Sequence, residues 1–274
     1  MDWDKHYAPR STRMAASEIR ELLKLLDQPD IISFAGGIPD PKGFPNDEIA
    51  AAYRRILASP VASAALQYSV SEGYAPLRTW IVSYMASLGV PCTLENILIT
   101  NGSQQALEFI GKLFIGSGDC VLVTRPTYLG ALQAFNAYEP RYDSLPGIDD
   151  NRGLDDFAGG ASPRLGYVNP DFRNPSGTSL SLSERLRLIE DAHALGLPLI
   201  EDGAYFELRY DGAPLPALIA LDAKRSGGID KGLVLYCGTF SKTVVPGLRI
   251  GWVAAPRAVI RKLVLIKQAS DLHS

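Results

Sequence analysis

The sequence predicts an α/β fold in which helices cover both faces of a mostly parallel sheet, and three observations support this prediction. Short apolar runs bounded by turn residues alternate along the chain with segments of helical periodicity. No internal repeat or low-complexity segment interrupts the alternation. The chain has 274 residues, 46% of them hydrophobic, which is enough to bury a large core in one domain or two.

The first 45 residues differ from the rest and predict an arm that lies over the main domain. An amphipathic stretch, "SEIRELLKLL", is followed by the Gly- and Pro-rich "ISFAGGIPDPKGFP". We therefore divide the chain into an N-terminal arm, 1–45, and a large domain, 46–274.

The large domain is predicted to contain repeated strand–helix units. The clearest unit begins with the strand "NILIT" (96–100) and continues into the helix "QQALEFIGKLF". The strand "CVLVT" (120–124) and the helix "TYLGALQAFNAY" follow the same plan. Further strands are predicted at 164–169, 197–202 and 232–238, and the helix "LSERLRLIEDAHALG" is predicted to stop at Gly196.

Charge and cysteine content narrow the classes of partner. With 27 basic and 30 acidic residues and no dense Lys/Arg run, the chain is not expected to bind nucleic acid or an anionic membrane. No apolar run reaches the ~20 residues of a membrane span, and the first residues do not resemble a signal peptide. The three cysteines are widely spaced beside apolar residues, which favours buried free thiols over disulfides or a metal site. We expect a cytoplasmic protein with a small-molecule ligand.

Ligands of an open parallel sheet bind beyond the carboxyl ends of its strands, so the polar residues at those ends are the candidate site. In chain order they are Gly102, Ser103 and Gln104, then Tyr128, Asn174, Asp202 and Tyr205, and finally Ser241, Lys242 and Arg249. The last three lie in "GTFSKTVVPGLRIGW" (238–252), a stretch whose apolar residues otherwise predict a buried strand.

Together these residues offer a phosphate cradle, a flat aromatic ring, a carboxylate, a phenol, an amide and an amine. This set fits pyridoxal 5'-phosphate. The helix N-terminus at Ser103 suits a phosphate, and Arg249 can bind two oxygens of a dianion. Lys242 supplies an amine for the aldehyde, and Asp202 a carboxylate that keeps the ring nitrogen protonated, so that the ring can accept electrons.

Each residue alone also has an ordinary structural interpretation. Lys242 could be a solvated surface charge, Asp202 a helix cap and Arg249 a surface ion pair. The tyrosines could be packing residues and Asn174 a turn former. Their joint occurrence at strand ends, in this order, favours the cofactor site.

Four motifs carry a family resemblance. "FAGGIPDPKGFP", "NPDFRNPSG", "EDGAYFELRYDG" and "GTFSKTVVPGLRIGW" resemble the class I aminotransferases of fold type I, especially the aminoadipate, kynurenine and aromatic aminotransferases. The resemblance implies a three-layer α/β/α large domain and transfer of an amino group between an L-amino acid and a 2-oxo acid, with glutamate and 2-oxoglutarate as one couple. It implies that Lys242 bonds the cofactor and moves the substrate's α proton, and that Asp202 pairs with the ring nitrogen.

The same resemblance implies roles for the remaining residues. Asn174 and Tyr205 would hydrogen-bond the phenolic oxygen, and Tyr128 would stack on the ring. The phosphate-binding positions would be Gly102, Ser103, Gln104, Ser241 and Arg249. Tyr68 would reach the phosphate of a neighbouring subunit, which implies a homodimer. Gly37 and Asn174 would face the substrate carboxylate. Arg20, on the arm, would pair with a distal carboxylate of acidic substrates, although a solvated arm charge is an equal alternative.

The sequence departs from this family at its end. The chain stops at "KQASDLHS", whereas the family continues into a smaller C-terminal domain that supplies an arginine for the substrate's α-carboxylate. We expect cofactor binding to survive without that domain and turnover to be reduced. The open alternatives are a truncated cofactor-binding fragment with little turnover and, more weakly, the effector domain of a transcription regulator, since no basic helix-turn-helix segment precedes residue 30.

Overall fold

The computed structural model describes residues 1–14, 37–148 and 162–274. The predicted arm helix, with Arg20, lies outside the described residues. At the start of the chain are two 3-10 turns, Trp3–His6 and Pro9–Arg13. The Arg13 guanidinium donates to the carbonyl oxygen of Pro140 at 2.9 Å, which attaches this segment to the large domain. The division into arm and large domain stays a prediction.

One sheet of seven strands organises the described residues. The strands are β1 (Ile97–Thr100), β2 (Cys120–Val123), β3 (Arg141–Ser144), β4 (Leu165–Val168), β5 (Leu199–Asp202), β6 (Val234–Thr239) and β7 (Gly251–Ala254). Their spatial order is β1-β7-β6-β5-β4-β2-β3. β7 pairs antiparallel with both β1 and β6, and every other pairing is parallel.

Helices connect the strands and follow the periodicity of the sequence. Their bounds in the described residues are α1 (Asn46–Leu57), α2 (Ala62–Ala65), α3 (Ala75–Ser87), α4 (Ser103–Phe114), α5 (Leu129–Asn136), α6 (Leu182–Leu195), α7 (Leu218–Ser226) and α8 (Arg257–Gln268). α6 begins with a capping box between Ser181 and Glu184 and ends at Gly196, whose φ of 60° a glycine adopts without steric cost.

The core forms two apolar layers, one on each face of the sheet. Because strand side chains alternate between faces, Ile97 and Ile99 pack into one layer and Leu98 into the other. The first layer includes buried residues of α3, α6 and α7, and the second includes residues of α4, α5 and α8. The predicted three-layer α/β/α architecture is therefore confirmed.

The stretch 238–252 is not one strand, and that expectation was wrong. β6 ends at Thr239, a loop with the 3-10 turn Pro246–Leu248 follows, and β7 returns antiparallel. Pro246 cannot donate to a strand ladder, so the chain reverses there. The reversal places Lys242 and Arg249 on one loop at the carboxyl edge of β6.

Two smaller features complete the description. Cys237 is buried as expected, but Cys92 and Cys120 are only half-buried, and all three are free thiols. None of the helices within the described ranges is long and apolar enough to cross a bilayer.

Candidate active site

The predicted cofactor residues converge on one cavity at the carboxyl edge of the parallel strands. Its volume is about 280 Å³. The lining residues are Ser103, Gln104, Tyr128, Tyr167, Asn169, Asn174, Asp202, Ala204, Tyr205, Thr239, Ser241, Lys242, Pro246 and Arg249. They come from the carboxyl ends of β4, β5 and β6, from the loops that follow β2, β4, β5 and β6, and from the first turn of α4 after β1, as the strand-end rule predicts.

A larger cavity of about 620 Å³ lies at the opposite edge, beside the residues that precede the strands. Asp119 and Arg164, its charged residues, already pair with each other at 3.6 Å. It offers no set of convergent catalytic groups among the residues described there, so the smaller cavity is the candidate active site.

Lys242 provides the amine of the site. Its Nζ lies 3.4 Å from the carbonyl oxygen of Gly37 and 6.0 Å from the centre of the Tyr205 ring. Within the described part of the chain no carboxylate pairs with it, and burial lowers the pKa of the ammonium group. A lysine in this state yields a neutral, nucleophilic amine more readily than a solvated one does.

Asp202 provides a buried carboxylate on the floor of the cavity and is 4% exposed. Its Oδ2 accepts from the hydroxyl of Tyr167 at 2.8 Å, and its Oδ1 accepts from the backbone N–H of Ala204 at 3.2 Å. Asn169 donates to its carbonyl oxygen at 2.6 Å, which fixes the backbone. Burial raises the pKa of the carboxyl group, because no cation neutralises it among the residues described. A protonated ring nitrogen beside it would supply that charge.

Tyr128 closes one side of the cavity. It precedes α5, and burial together with the charge of Asp202 raises its pKa to about 12. A Cβ on Gly130 would lie 2.3 Å from Cζ of the tyrosine ring. Gly130 therefore lets the ring lie directly against the backbone, where it presents an aromatic face to the cavity.

Asn174 and Tyr205 form a pair in the wall of the cavity. The Asn174 amide is 3.4 Å from the Tyr205 hydroxyl, and Asn174 is oriented by its backbone N–H, which donates to Asn169 Oδ1 at 3.2 Å. Burial raises the pKa of Tyr205. The phenol therefore stays protonated at neutral pH and can donate to an oxygen in the cavity.

The far end of the cavity is a cradle for an anion. α4 begins at Ser103 with no side-chain cap at Gly102, so the N–H groups of its first turn point into the cavity. A Cβ on Gly102 would lie 2.3 Å from Nη2 of Arg249, and the φ of 76° also favours glycine. Gly102 thus allows the guanidinium to approach the helix N-terminus. Ser241, held by Thr239 Oγ1 at 3.1 Å, adds a hydroxyl.

Of the predicted residues that the structure describes, Gly37 only borders the cavity and Tyr68 lies away from it. Gly37 approaches through its carbonyl contact with Lys242 and has a φ of 54°. Tyr68 is 77% exposed and packs edge-to-face on His273, so it does not enter the cavity of its own chain. Arg20 lies outside the described residues. The Gln104 side chain donates to the carbonyl oxygen of Gly130 at 2.6 Å, which leaves its backbone N–H for an anion.

Sequence reasoning missed Tyr167 and Asn169. Tyr167 lies in the apolar run of β4, where an aromatic residue is usually a packing residue, and Asn169 follows directly after the strand. The signal that could have found them is the pairing of β4 with β5, which sets Tyr167 opposite Ile200 and therefore diagonal to Asp202.

Comparisons with known proteins agree with this geometry. The family model described as aminotransferase class I and II matches residues 30–270. The chain belongs to this aminotransferase family. An aromatic-amino-acid aminotransferase of Thermococcus litoralis is 40% identical over 281 residues, covering 99% of the chain and 66% of that protein.

Two further relatives extend the comparison. The structure of LysN, the alpha-aminoadipate aminotransferase of Thermus thermophilus, was solved with N-(5'-phosphopyridoxyl)-L-leucine. The LysN structure matches this chain with a TM-score of 0.87 and 40% identity, over 100% of this chain and 67% of the LysN chain. An uncharacterised helix-turn-helix transcriptional regulator of Bacillus subtilis is 30% identical over 100% of the chain and 55% of the regulator. The chain therefore spans about two thirds of the length of its aminotransferase relatives.

Pyridoxal 5'-phosphate is the cofactor of this family, and the cavity fits it. The anion cradle that a Cβ at Gly102 would fill suits the phosphate, and the unneutralised carboxylate of Asp202 suits the ring nitrogen. Tyr205 suits the phenolic oxygen, and Lys242 is the one lysine that lines the described cavity.

Proposed function

We propose that this chain is a pyridoxal-phosphate-dependent aminotransferase that moves an amino group between an L-amino acid and a 2-oxo acid, with glutamate and 2-oxoglutarate as one couple. The observation that carries the proposal is the arrangement of three charged groups around one cavity. A lysine with a lowered pKa lies at the mouth, a buried carboxylate on the floor and an anion cradle at the far end.

Lys242 acts first as nucleophile and then as the proton carrier. Its lowered pKa increases the share of neutral amine, the form that can bond an aldehyde carbon. The same amine, when not bonded to the cofactor, would take a proton from the substrate's α carbon. The carbonyl oxygen of Gly37, 3.4 Å from Nζ, orients the amine at the mouth of the cavity.

The proposed role of Asp202 is to favour the protonated form of the cofactor's ring nitrogen. Bound in this cavity, the cofactor supplies an electron sink that stabilises negative charge at the α carbon. Asp202 would hold the ring nitrogen in its protonated form, because the pairing would restore to the carboxylate the stabilisation lost on burial. Tyr167 and Ala204 fix both carboxylate oxygens, so that the group faces the ring without rearrangement.

The active unit is proposed to be a homodimer in the cytoplasm. Tyr68 is exposed in its own chain, yet the resemblance assigns it to the phosphate of a neighbouring subunit. Other large apolar side chains are exposed on the same segments and would be covered by a second copy. They are Tyr53, Leu57, Leu66, Val70, Tyr74 and Trp80.

The proposed substrate classes are inferred from the names of the relatives and from Arg20 on the arm. Because the relatives above are named for aminoadipate and aromatic amino acids, we propose donors of these two classes. Arg20 is proposed to favour the acidic donors through their distal carboxylate, and Gly37 and Asn174 to meet the α-carboxylate. Arg20→Ala should then lower turnover of aminoadipate and glutamate more than that of aromatic donors, and an equal relative loss would reject the selective role.

The function is tested by a donor screen on the purified chain loaded with pyridoxal phosphate. Each L-amino acid is mixed with stoichiometric protein, and conversion of the cofactor to its amine form is followed by absorbance. Conversion by acidic or aromatic donors, reversed by 2-oxoglutarate, supports the proposal. A protein that binds the cofactor but converts it with no donor would instead support the alternative of a binding fragment without turnover.

A further inference from the structure

A polar network lies directly behind the anion cradle. Lys267 of α8 is 0% exposed, and its Nζ donates to the two carboxylate oxygens of Asp271 at 3.0 and 2.9 Å. It also lies 2.8 Å from the hydroxyl of Ser274 and 3.3 Å from Oε1 of Gln105. The ammonium group is thus surrounded by acceptors, as a buried charge must be.

The carboxylate of Asp271 continues the network toward the cradle. Its Oδ2 accepts from the side-chain amides of both Asn101 and Gln105, the latter at 2.8 Å. Gln105 Oε1 in turn accepts from the backbone N–H of Asn101 at 2.9 Å. The residue that precedes Gly102 is therefore held through both its backbone and its side chain.

Asn101 also contacts the anion cradle, through its carbonyl oxygen. The carbonyl oxygen of Asn101 accepts from Nη2 of Arg249 at 3.3 Å. Asn101 consequently lies between the network behind it and the guanidinium in front of it. Any shift of Asn101 would move Gly102 and Ser103, where α4 begins.

We propose that the Lys267–Asp271 pair is a positioning device for the phosphate of the cofactor, acting through Gln105 and Asn101. It touches neither cofactor nor substrate. Its role is to fix the spacing between the N-terminus of α4 and Arg249, so that both can bind the same dianion. The inference rests on the proposed function, because it takes the cradle to hold the phosphate of pyridoxal phosphate.

The network is poorly explained by stability alone. A largely buried ion pair gains little over apolar residues of the same size, because Lys267 loses its hydration and Asp271, whose side chain is 22% exposed, loses most of its own. An apolar contact between α8 and α4 would join the helices equally well, yet would leave the amide groups of Asn101 unpartnered. The pair is therefore suited to orienting a polar loop, and its loss should act on the group that the loop binds.

The test compares pyridoxal 5'-phosphate with pyridoxal, which has the same ring and aldehyde but no phosphate. Asp271→Asn retains the size of the side chain but removes its charge. It also places an NH₂ group, which cannot accept, against the side-chain amide donors of Asn101 and Gln105. Dissociation constants are measured by absorbance titration of folded protein. We expect the constant for the phosphorylated form to rise about tenfold, as for one lost charge-assisted hydrogen bond, and the constant for pyridoxal to change less than about twofold.

Two further variants keep the test decisive. Gln105→Met retains the Lys267–Asp271 pair and the bond from the Asn101 side chain to Asp271, but removes the acceptor of the Asn101 backbone N–H. It should therefore show a phosphate-selective loss even if Asp271→Asn folds poorly. Asp230→Asn is the matched control, because Asp230 anchors the other end of α8 through Arg257 and Asn96 without reaching the cradle. It should lower thermal stability and leave the ratio of the two constants unchanged.

Each outcome has a distinct meaning. If Asp271→Asn and Gln105→Met weaken both ligands equally, or neither, the network is only structural and the inference is wrong. If the unmodified chain binds pyridoxal 5'-phosphate no better than pyridoxal, the cradle does not hold a phosphate and the proposed function fails first.

Discussion

Asp202→Asn is the sharpest perturbation of the proposed site, because it changes charge while keeping shape. The variant can still accept from the Ala204 N–H through Oδ1, and its NH₂ group can donate to the Tyr167 hydroxyl in place of accepting from it. Since no cation neutralises the carboxylate in the described structure, its removal should not destabilise the fold. We expect an unchanged or higher melting temperature.

The magnitude follows from the bond that the variant loses. A hydrogen bond to a charged group is worth ~1.5–3 kcal/mol, so affinity for pyridoxal phosphate should fall by about 10- to 100-fold. The rate of α-proton removal should fall further, because the neutral amide cannot keep the ring nitrogen protonated and the electron sink weakens as the transition state forms. Affinity and rate are therefore expected to separate.

The assay pairs a cofactor titration with single-turnover kinetics at saturating cofactor. Glu201→Gln is the matched control, because Glu201 is the adjacent carboxylate on β5, is also buried, and accepts from the N–H groups of Leu218 and Ile219 at 2.8 Å each. It should leave cofactor affinity and the single-turnover rate unchanged. If Asp202→Asn retains the single-turnover rate of the unmodified chain, Asp202 is not the partner of the ring nitrogen.

Four other perturbations probe the remaining groups. Borohydride should fix the cofactor covalently to Lys242, and peptide mapping of Lys242→Ala should find no label; a label on another lysine would reject the assignment. Gly102→Ala should weaken phosphate binding and cost ~1 kcal/mol or more of stability by equilibrium unfolding, because its Cβ would meet Arg249 at 2.3 Å and φ is 76°; unchanged affinity would show that the cradle tolerates a side chain. Burial raises the pKa of Glu201 to about 7, so the folded chain keeps a proton that the unfolded chain releases near 4.5, and the free energy of unfolding should fall by ~3 kcal/mol as pH rises between these values. In urea titrations at several pH values, Glu201→Gln should reduce this dependence of the free energy of unfolding on pH. An unchanged dependence would mean that another group titrates. Tyr68→Phe should weaken cofactor binding only under conditions where the chain is dimeric by sedimentation, and an equal effect on the monomer would place Tyr68 in its own chain's site.

Most of the fold could be predicted because hydrophobic periodicity and turn-forming residues indicate the same element boundaries along the chain. The strands preceding α4, α5 and α6 are apolar runs bounded by turn residues, and Gly196 ends α6 where the pattern stops. β3 was missed because "RYDS" is a polar edge strand without alternation. β7 was missed because its apolar residues continue those of β6, and only the reversal at Pro246 separates the two.

The candidate site was predicted from strand ends, and its limits have the same origin. Residues that follow a strand meet at one edge whatever the lateral order, so Lys242 and Asp202 needed no knowledge of pairing. Asn169 and Tyr167 needed that knowledge, because they act across β4 and β5. Asp271 needed more still, since it meets Asn101 across 170 positions of sequence. Nothing local to either residue indicates such a contact.

Glu201 and Asp202 show that position along a strand determines the role of a carboxylate more than burial does. Both carboxylates are almost fully buried, and burial raises the pKa of both. Successive strand residues face opposite sides of the sheet, so Glu201 turns toward the N-terminus of α7, where the backbone N–H groups of Leu218 and Ile219 donate to its two carboxyl oxygens. Asp202 turns toward the layer of α4 and α5 and, as the last residue of β5, opens onto the cavity. Its only described donors are one phenol and one backbone N–H, which leaves its charge to be neutralised by a ligand. A one-residue shift of β5 would exchange the two positions, so the register of this strand with β4 and β6 determines which carboxylate would meet a cofactor bound in the cavity.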